Sequence, residues 1–158
     1  MSTVSMADIF SQADELPVER FTTPTGDFTV ELVEDMRWER TERGYLNLLI
    51  HSKIVASADG KYIGAHLYDR SFLSDENTRG AQIGRGQLQD KAKVFMGMPQ
   101  IALFRPVSTS GDPQVGYVPN TVGMGARCRV TSRTSSKENE LGETIENTYY
   151  TFRYSPLD

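Results

Sequence analysis

The chain has one cysteine, one tryptophan and two histidines in 158 residues, and each scarcity narrows what it can be. Cys128 has no second thiol to pair with, so the fold is not a disulfide-stapled scaffold, and a reducing cytoplasm is the expected compartment. Its strand phase points inward, which reads as a small core residue rather than a nucleophile. His51 and His66 have no clustered carboxylates at metal-ligand spacing and read as a surface or groove pair, so neither a metal nor a cofactor is expected. Gly80-Ala-Gln-Ile-Gly-Arg-Gly86 lacks the Lys-Ser/Thr of a phosphate-binding loop. Asp59, Asp69 and Asp75 fall in or near turns and form no acid cluster of the kind a nuclease needs. An enzyme is therefore not expected. No apolar run approaches the ~18 residues of a membrane span, and no basic segment followed by an apolar stretch opens the chain as a signal peptide would.

Net positive charge is also missing. The formal charge is −4, an objection to any simple nucleic-acid binder, but the charges are unevenly spread. Residues 1–35 hold eight acids and one base, residues 36–134 hold fourteen bases and eight acids, and residues 135–158 hold two bases and five acids. A basic middle between acidic ends is compatible with a basic binding surface on an acidic protein, or with a mixed solvated surface. The length suits one domain. Residues 1–24 read as an acidic N-terminal arm, with a short amphipathic helix over 7–16, and residues 25–156 as the folded domain.

Within that domain, residues 27–70 carry the clearest pattern. Apolar residues recur at every second position over 28–32, over 45–54 (Leu46, Leu48, Ile50, Ile54) and over 61–70 (Ile63, Ala65, Leu67), the period of half-buried strands. Turns at 41–44 and 57–60 separate them, the second carrying Asp59-Gly60. The opposite faces hold Arg37, Trp38, Arg40, Arg43, Tyr45, His51, Lys53, Tyr62, His66, Tyr68 and Arg70. Cations and aromatic rings interleaved on one sheet face suit a single-stranded nucleic acid, charge for phosphates and rings for bases. Glu34-Asp35 interrupts the first strand and predicts a bulge. Trp38 faces the core if the phase survives and the groove if the bulge shifts it.

A helix is expected over 85–96, with Leu88, Ala92, Phe95 and Met96 on one face and Gln87, Asp90, Lys91 and Lys93 exposed. Gly97 and Pro99 stop it. A short strand is expected near 115–118. Residues 125–133 form a clear strand with Ala126, Cys128 and Val130 on one side and Arg127, Arg129 and Arg133 on the other. Those arginines repel one another unless an anionic ligand or acidic cross-strand neighbours such as Glu146 offset them. Residues 134–143 read as a polar loop and 144–154 as the last strand. Three strands, a helix and two more strands predict a mainly β fold, a five-stranded antiparallel OB-fold. That is a Greek-key barrel with its helix between strands three and four and its usual ligand surface on strands two and three.

Several stretches resemble the phage-encoded single-stranded-DNA-binding proteins of OB-fold type, a family long catalogued as a domain of unknown function. They are Pro24-Thr-Gly-Asp-Phe-Thr-Val-Glu-Leu32, Arg43-Gly-Tyr-Leu-Asn-Leu48, Gly60-Lys-Tyr-Ile63 leading into Tyr68-Asp-Arg70, and an Arg-rich strand followed by a last strand ending Tyr154-Ser-Pro156. The resemblance implies a protein that coats single-stranded DNA without sequence preference in phage replication or recombination, in the cytoplasm of the bacterial host. Such proteins often end in an acidic tail that recruits replication or recombination proteins; Ser155-Pro-Leu-Asp158 is not one, which leaves that role to the acidic N-terminal segment. The expected DNA-binding set is Arg37, Trp38, Arg40, Arg43, Tyr45, Lys53, Tyr62, His66, Tyr68, Arg70, Arg127 and Arg129. A homo-oligomer is compatible with this reading. The alternative is a phage accessory or adaptor protein that uses the same barrel to bind protein, since aromatics and arginines also mark protein interfaces.

Overall fold

The computed structural model describes residues 23–157. The interrupted first run becomes two strands, β1 (Gly26–Leu32) and β2 (Arg37–Arg40), followed by β3 (Leu46–Ser57) and β4 (His66–Leu73). Helix α1 (Arg79–Met96) and a short 3-10 turn (Ile101–Phe104) precede β5 (Gly116–Tyr117), β6 (Gly125–Glu138) and β7 (Thr144–Ser155). The sheet is antiparallel throughout, with order β5-β2-β3-β1-β6-β7 and β4 on the other edge of β3. The mainly β class and the single helix among the described residues agree with the sequence. The count of five strands does not: seven are present among the described residues, and their sheet does not close. The arm expected over 1–24, with its helix, lies almost wholly outside the described residues.

The extra strands have a local cause. Residues 33–36 break the first run, and β3 is long enough to pair with β2 through its first half and with β1 through its second. Asp35 holds the break open: its carboxylate accepts hydrogen bonds from the amides of Thr121 (3.0 Å) and Val122 (2.8 Å). The buried Thr121 hydroxyl in turn accepts one from Met36 N–H (2.7 Å). Four residues is an even number, so the strand period survives the interruption. Leu32, Met36 and Trp38 all point inward.

Two core clusters fill the inner face. Leu32, Met36, Trp38, Leu48, Ile50 and Phe104 pack with Leu88, Ala92 and Phe95 of α1, while Phe28, Val30, Ile54, Leu67, Cys128 and Val130 form the second cluster. Burial pushes the Cys128 thiol up to about 12, as expected for a core cysteine.

The helix begins six residues earlier than its apolar spacing indicates. The Thr78 side chain caps it by accepting from Ala81 N–H (3.2 Å), and Gly97 ends it at φ 82°. Gly84 belongs to its buried stripe because α1 crosses β4 very closely there: a Cβ on Gly84 would lie 2.7 Å from the carbonyl oxygen of Phe72. Lys91, expected in solvent, is buried on the same stripe. Its ammonium lies 2.7 Å from the carboxylate of Asp69, hydrogen-bonds Ser71, and sits 5.8 Å from the centre of the Tyr154 ring. Asp69 is thus an inward residue of β4 and not a turn residue. Residues 134–138, read as loop, continue the β6–β7 ladder to Glu138 opposite Thr144.

In urea unfolding, Gly84→Ala should lower stability by roughly 1–3 kcal/mol, because the new methyl forces α1 off β4. Gly86→Ala, which meets nothing within 4 Å, should raise it by about 0.5–1 kcal/mol. Removing one member of the buried pair, as in Lys91→Ala, should cost about 3–5 kcal/mol. Equal midpoints for the two glycine variants would contradict the close crossing.

Candidate functional site

Strand pairing fixes which side chains share the outer face. Across β5, β2, β3 and β4 one row reads Tyr117, Arg37, Leu49, Arg70, and the next reads Glu39, Asn47, Phe72. His51 stands opposite Tyr68, and Glu31, Lys53 and His66 align across β1, β3 and β4. The face continues through Thr29, Arg127 and Ser155, then Asp27, Arg129 and Arg153. Nine of the twelve expected residues thus lie on this outer side or at its rim, where Arg43 occupies the β2–β3 turn.

The aromatic groups on it brace one another, with Tyr45, Tyr68 and His66 exposed and Phe72 and His51 half-buried. Tyr45 meets Phe72 edge-on with ring centres 5.1 Å apart. Tyr68 is 52% exposed and stacks on His51 at 4.3 Å, the planes 20° apart. His51 Nε2 lies 2.7 Å from His66 Nδ1, and His51 Nδ1 lies 3.6 Å from Glu34. Phe72, which was not among the expected residues, joins this face opposite Asn47.

Most of the arginines already have acidic neighbours. Arg37 lies 2.6 Å from Glu39 and 3.1 Å from Glu34, and Arg70 lies 3.8 Å from Glu39. The hydrogen bond to Glu39, then one with Tyr117, raises the Arg37 pKa from its ordinary value. Arg40 turns to Asp112, with Gln114 and the Gly44 carbonyl as further acceptors. That contact lowers the Asp112 pKa and raises that of Arg40. Arg129 pairs with Asp27 at 2.7 Å. Lys53 and Arg43 have no ion pair among the described residues. Nor does any group of three or more His, Cys, Asp or Glu there stand at metal-binding distances.

Three expected residues are misplaced. Arg40 has the phase of Trp38 and stands opposite Leu46 at the end of β2, turned to Asp112 and Gln114 rather than to the outer face. Trp38 points into the core, where its indole N–H donates to the Phe104 carbonyl at 2.6 Å, because the strand break preserves phase. Tyr62 is not on β4, which begins at His66. It sits in the preceding turn at φ 66°, edge-on to Phe28 at 6.3 Å, and Ile63 beside it is exposed rather than inward. Arg133 and Arg153 join the outer face without having been in the expected set. Arg153 faces Arg129 directly, and Arg133 faces Tyr149.

No helix among the described residues is long and apolar enough to cross a membrane. No family model matches the chain, and no curated protein matches it.

Trp38 should therefore emit as a buried indole, blue-shifted and poorly quenched by acrylamide, and should change little when oligo-dT is added. Strong quenching by the oligonucleotide would contradict its place in the core.

Proposed function

We propose that this chain is a sequence-independent single-stranded DNA-binding protein of OB-fold type. In this reading β4-β3-β1-β6-β7 is the five-strand OB order, β2 is the distal half of its first strand, and β5 is an added edge. Helix α1 spans the seam that the sheet leaves open between β4 and β7. The observation that carries the reading is the row of Tyr45, Phe72, Tyr68, His51 and His66 along β3, β4 and the turn before β3, exposed at Tyr45, Tyr68 and His66 and half-buried at Phe72 and His51, bordered by Lys53, Arg43 and Arg70. Rings of this kind stack on any base, at roughly 1–3 kcal/mol each, and cations beside them take the phosphates. The resemblance to phage single-stranded-DNA-binding proteins gives the setting: replication or recombination in a bacterial cytoplasm, alongside proteins of those pathways.

The acids on the face shape the mechanism. Glu34 and Glu39 hold Arg37 and Arg70 in place, so a phosphate must replace a carboxylate before either arginine binds it. Affinity is then moderate at each site and depends on salt. The same acids favour the second reading, a phage adaptor that docks a protein on this face.

Anisotropy of labelled oligo-dT across a salt series separates the two. The first reading predicts binding that weakens steeply with salt, with duplex bound far less. Tyr68→Ala should cost about 1–3 kcal/mol at every salt concentration. Lys53→Ala should reduce the slope of log affinity against log salt by about 0.7. Glu39→Gln should tighten binding by releasing Arg37 and Arg70. No binding at low salt would sink this reading and leave the adaptor.

A further inference from the structure

The two strands that end the chain project beyond the core as a ribbon. All side chains from Thr144 to Tyr149 are exposed, and so are those from Thr131 to Glu138 except the half-buried Ser135. A two-stranded ribbon alone is marginal in water. The outer edge of β7 pairs with no strand among the described residues, and it is unguarded. Its twelve residues include no Pro, Gly or Lys, and its ladder with β6 has no bulge. Asn139 N–H donates to the Glu143 carbonyl at 2.9 Å. The alternation of an antiparallel ladder then turns the amides and carbonyls of even-numbered residues 144–154 toward the free edge.

The ribbon is also polarised. Glu138, Glu140, Glu143 and Glu146 outnumber the one cation, Lys137, at its tip, and Arg153 stands at its root beside Arg129, which is paired with Asp27. Leu141, at the tip, is 83% exposed, the most exposed large apolar residue described. At the root, a groove of about 580 Å³ runs between β7 and α1, with Val94, Phe152 and Pro156 on its floor and Lys93 and Arg153 outweighing its one acid, Asp90, since Lys91 is already paired with Asp69. An acidic tip with an apolar point and a basic groove with an apolar floor are complementary, but they are at opposite ends of one ribbon. Only another copy, turned end for end, brings them together.

We propose that β7 pairs antiparallel with β7 of a second copy about a two-fold axis at Asn147. Ile145 of each copy then faces Tyr149 of the other, an exposed β-branched residue against an exposed ring. Leu141 of each tip comes level with Arg153 of the other copy, at the mouth of the α1 groove. An axis one residue earlier would oppose Glu146 to itself, which like charges disfavour. The four-stranded ribbon also sets Arg133 and Lys137 of both copies on one outer face, extending the face that carries Lys53 and Tyr68.

The test is the mass of the full chain in solution without nucleic acid, by sedimentation equilibrium. The wild type should be a dimer, and Leu141→Asp should raise its dissociation constant by about tenfold or more. Asn147→Cys should form an inter-chain disulfide under mild oxidation, since facing residues of a non-hydrogen-bonded pair stand about 4.5 Å apart at Cα. Thr134→Cys on β6 should not, and the buried Cys128 should stay silent. Leu141 and Asn147 are exposed, so neither substitution touches the core. A monomeric wild type, or a dimer that Asn147→Cys fails to cross-link, overturns the proposal. Either result leaves the DNA-binding reading untouched, because no nucleic acid is present.

Discussion

The buried contact between Lys91 and Asp69 decides how this protein holds together. β4 and β7 are each paired on one side only, as is the short β5, and α1 packs against both β4 and β7. Apolar burial alone would let a helix slide along that seam. The ion pair does not, because Lys91 must meet Asp69 and Ser71 on β4 while lying near the Tyr154 ring from β7. Two charges taken out of water add little net stability, but misplacing either one is expensive. The same enclosure, with burial as the main cause, raises the Tyr154 hydroxyl pKa well above its ordinary value. The pair therefore acts on position: it sets the helix at one height, where Gly84 can touch the Phe72 backbone.

That positioning reaches the outer face through β4. Residues of β4 alternate between the helix and the solvent, so Asp69 and Ser71 face α1 while Tyr68, Arg70 and Phe72 stand outside. Fixing the inner side of the strand fixes the spacing of the rings on the outer side. The rings also brace one another, Tyr45 on Phe72 and Tyr68 on His51, which limits the side-chain freedom that a ligand would otherwise have to freeze. The arginines are held likewise by Glu34 and Glu39. Such a face is ordered before any ligand arrives, and under the proposed function it would exchange carboxylates for phosphates on binding.

The strand runs and the polarity of their two faces were legible in the sequence because a period of two survives almost any tertiary context. Arg70, Tyr68, His66 and Lys53 were placed correctly on that basis alone. Trp38 was not decidable, since its side depended on whether the break at residues 33–36 had an odd or even length. That length is set by Asp35 capping Thr121 and Val122, a contact across more than eighty positions. Lys91 looked like a solvated helix residue because its partner Asp69 appeared to lie at a turn. Only pairing with β3 reveals that Asp69 points inward. The β6–β7 ribbon was hidden by its own composition: residues 134–143 are polar and read as loop, though each strand supports the other through Glu138 and Thr144.

The outer face of β3 and β4 as a surface for single-stranded DNA is the central claim, and amide chemical shifts during an oligo-dT titration test it most directly. The account predicts that perturbed amides cluster at His51, Lys53, His66, Tyr68 and Arg70 and in the β2–β3 turn, fading as salt rises. Perturbation confined to α1 and its groove, or an unchanged spectrum at low salt, would contradict it.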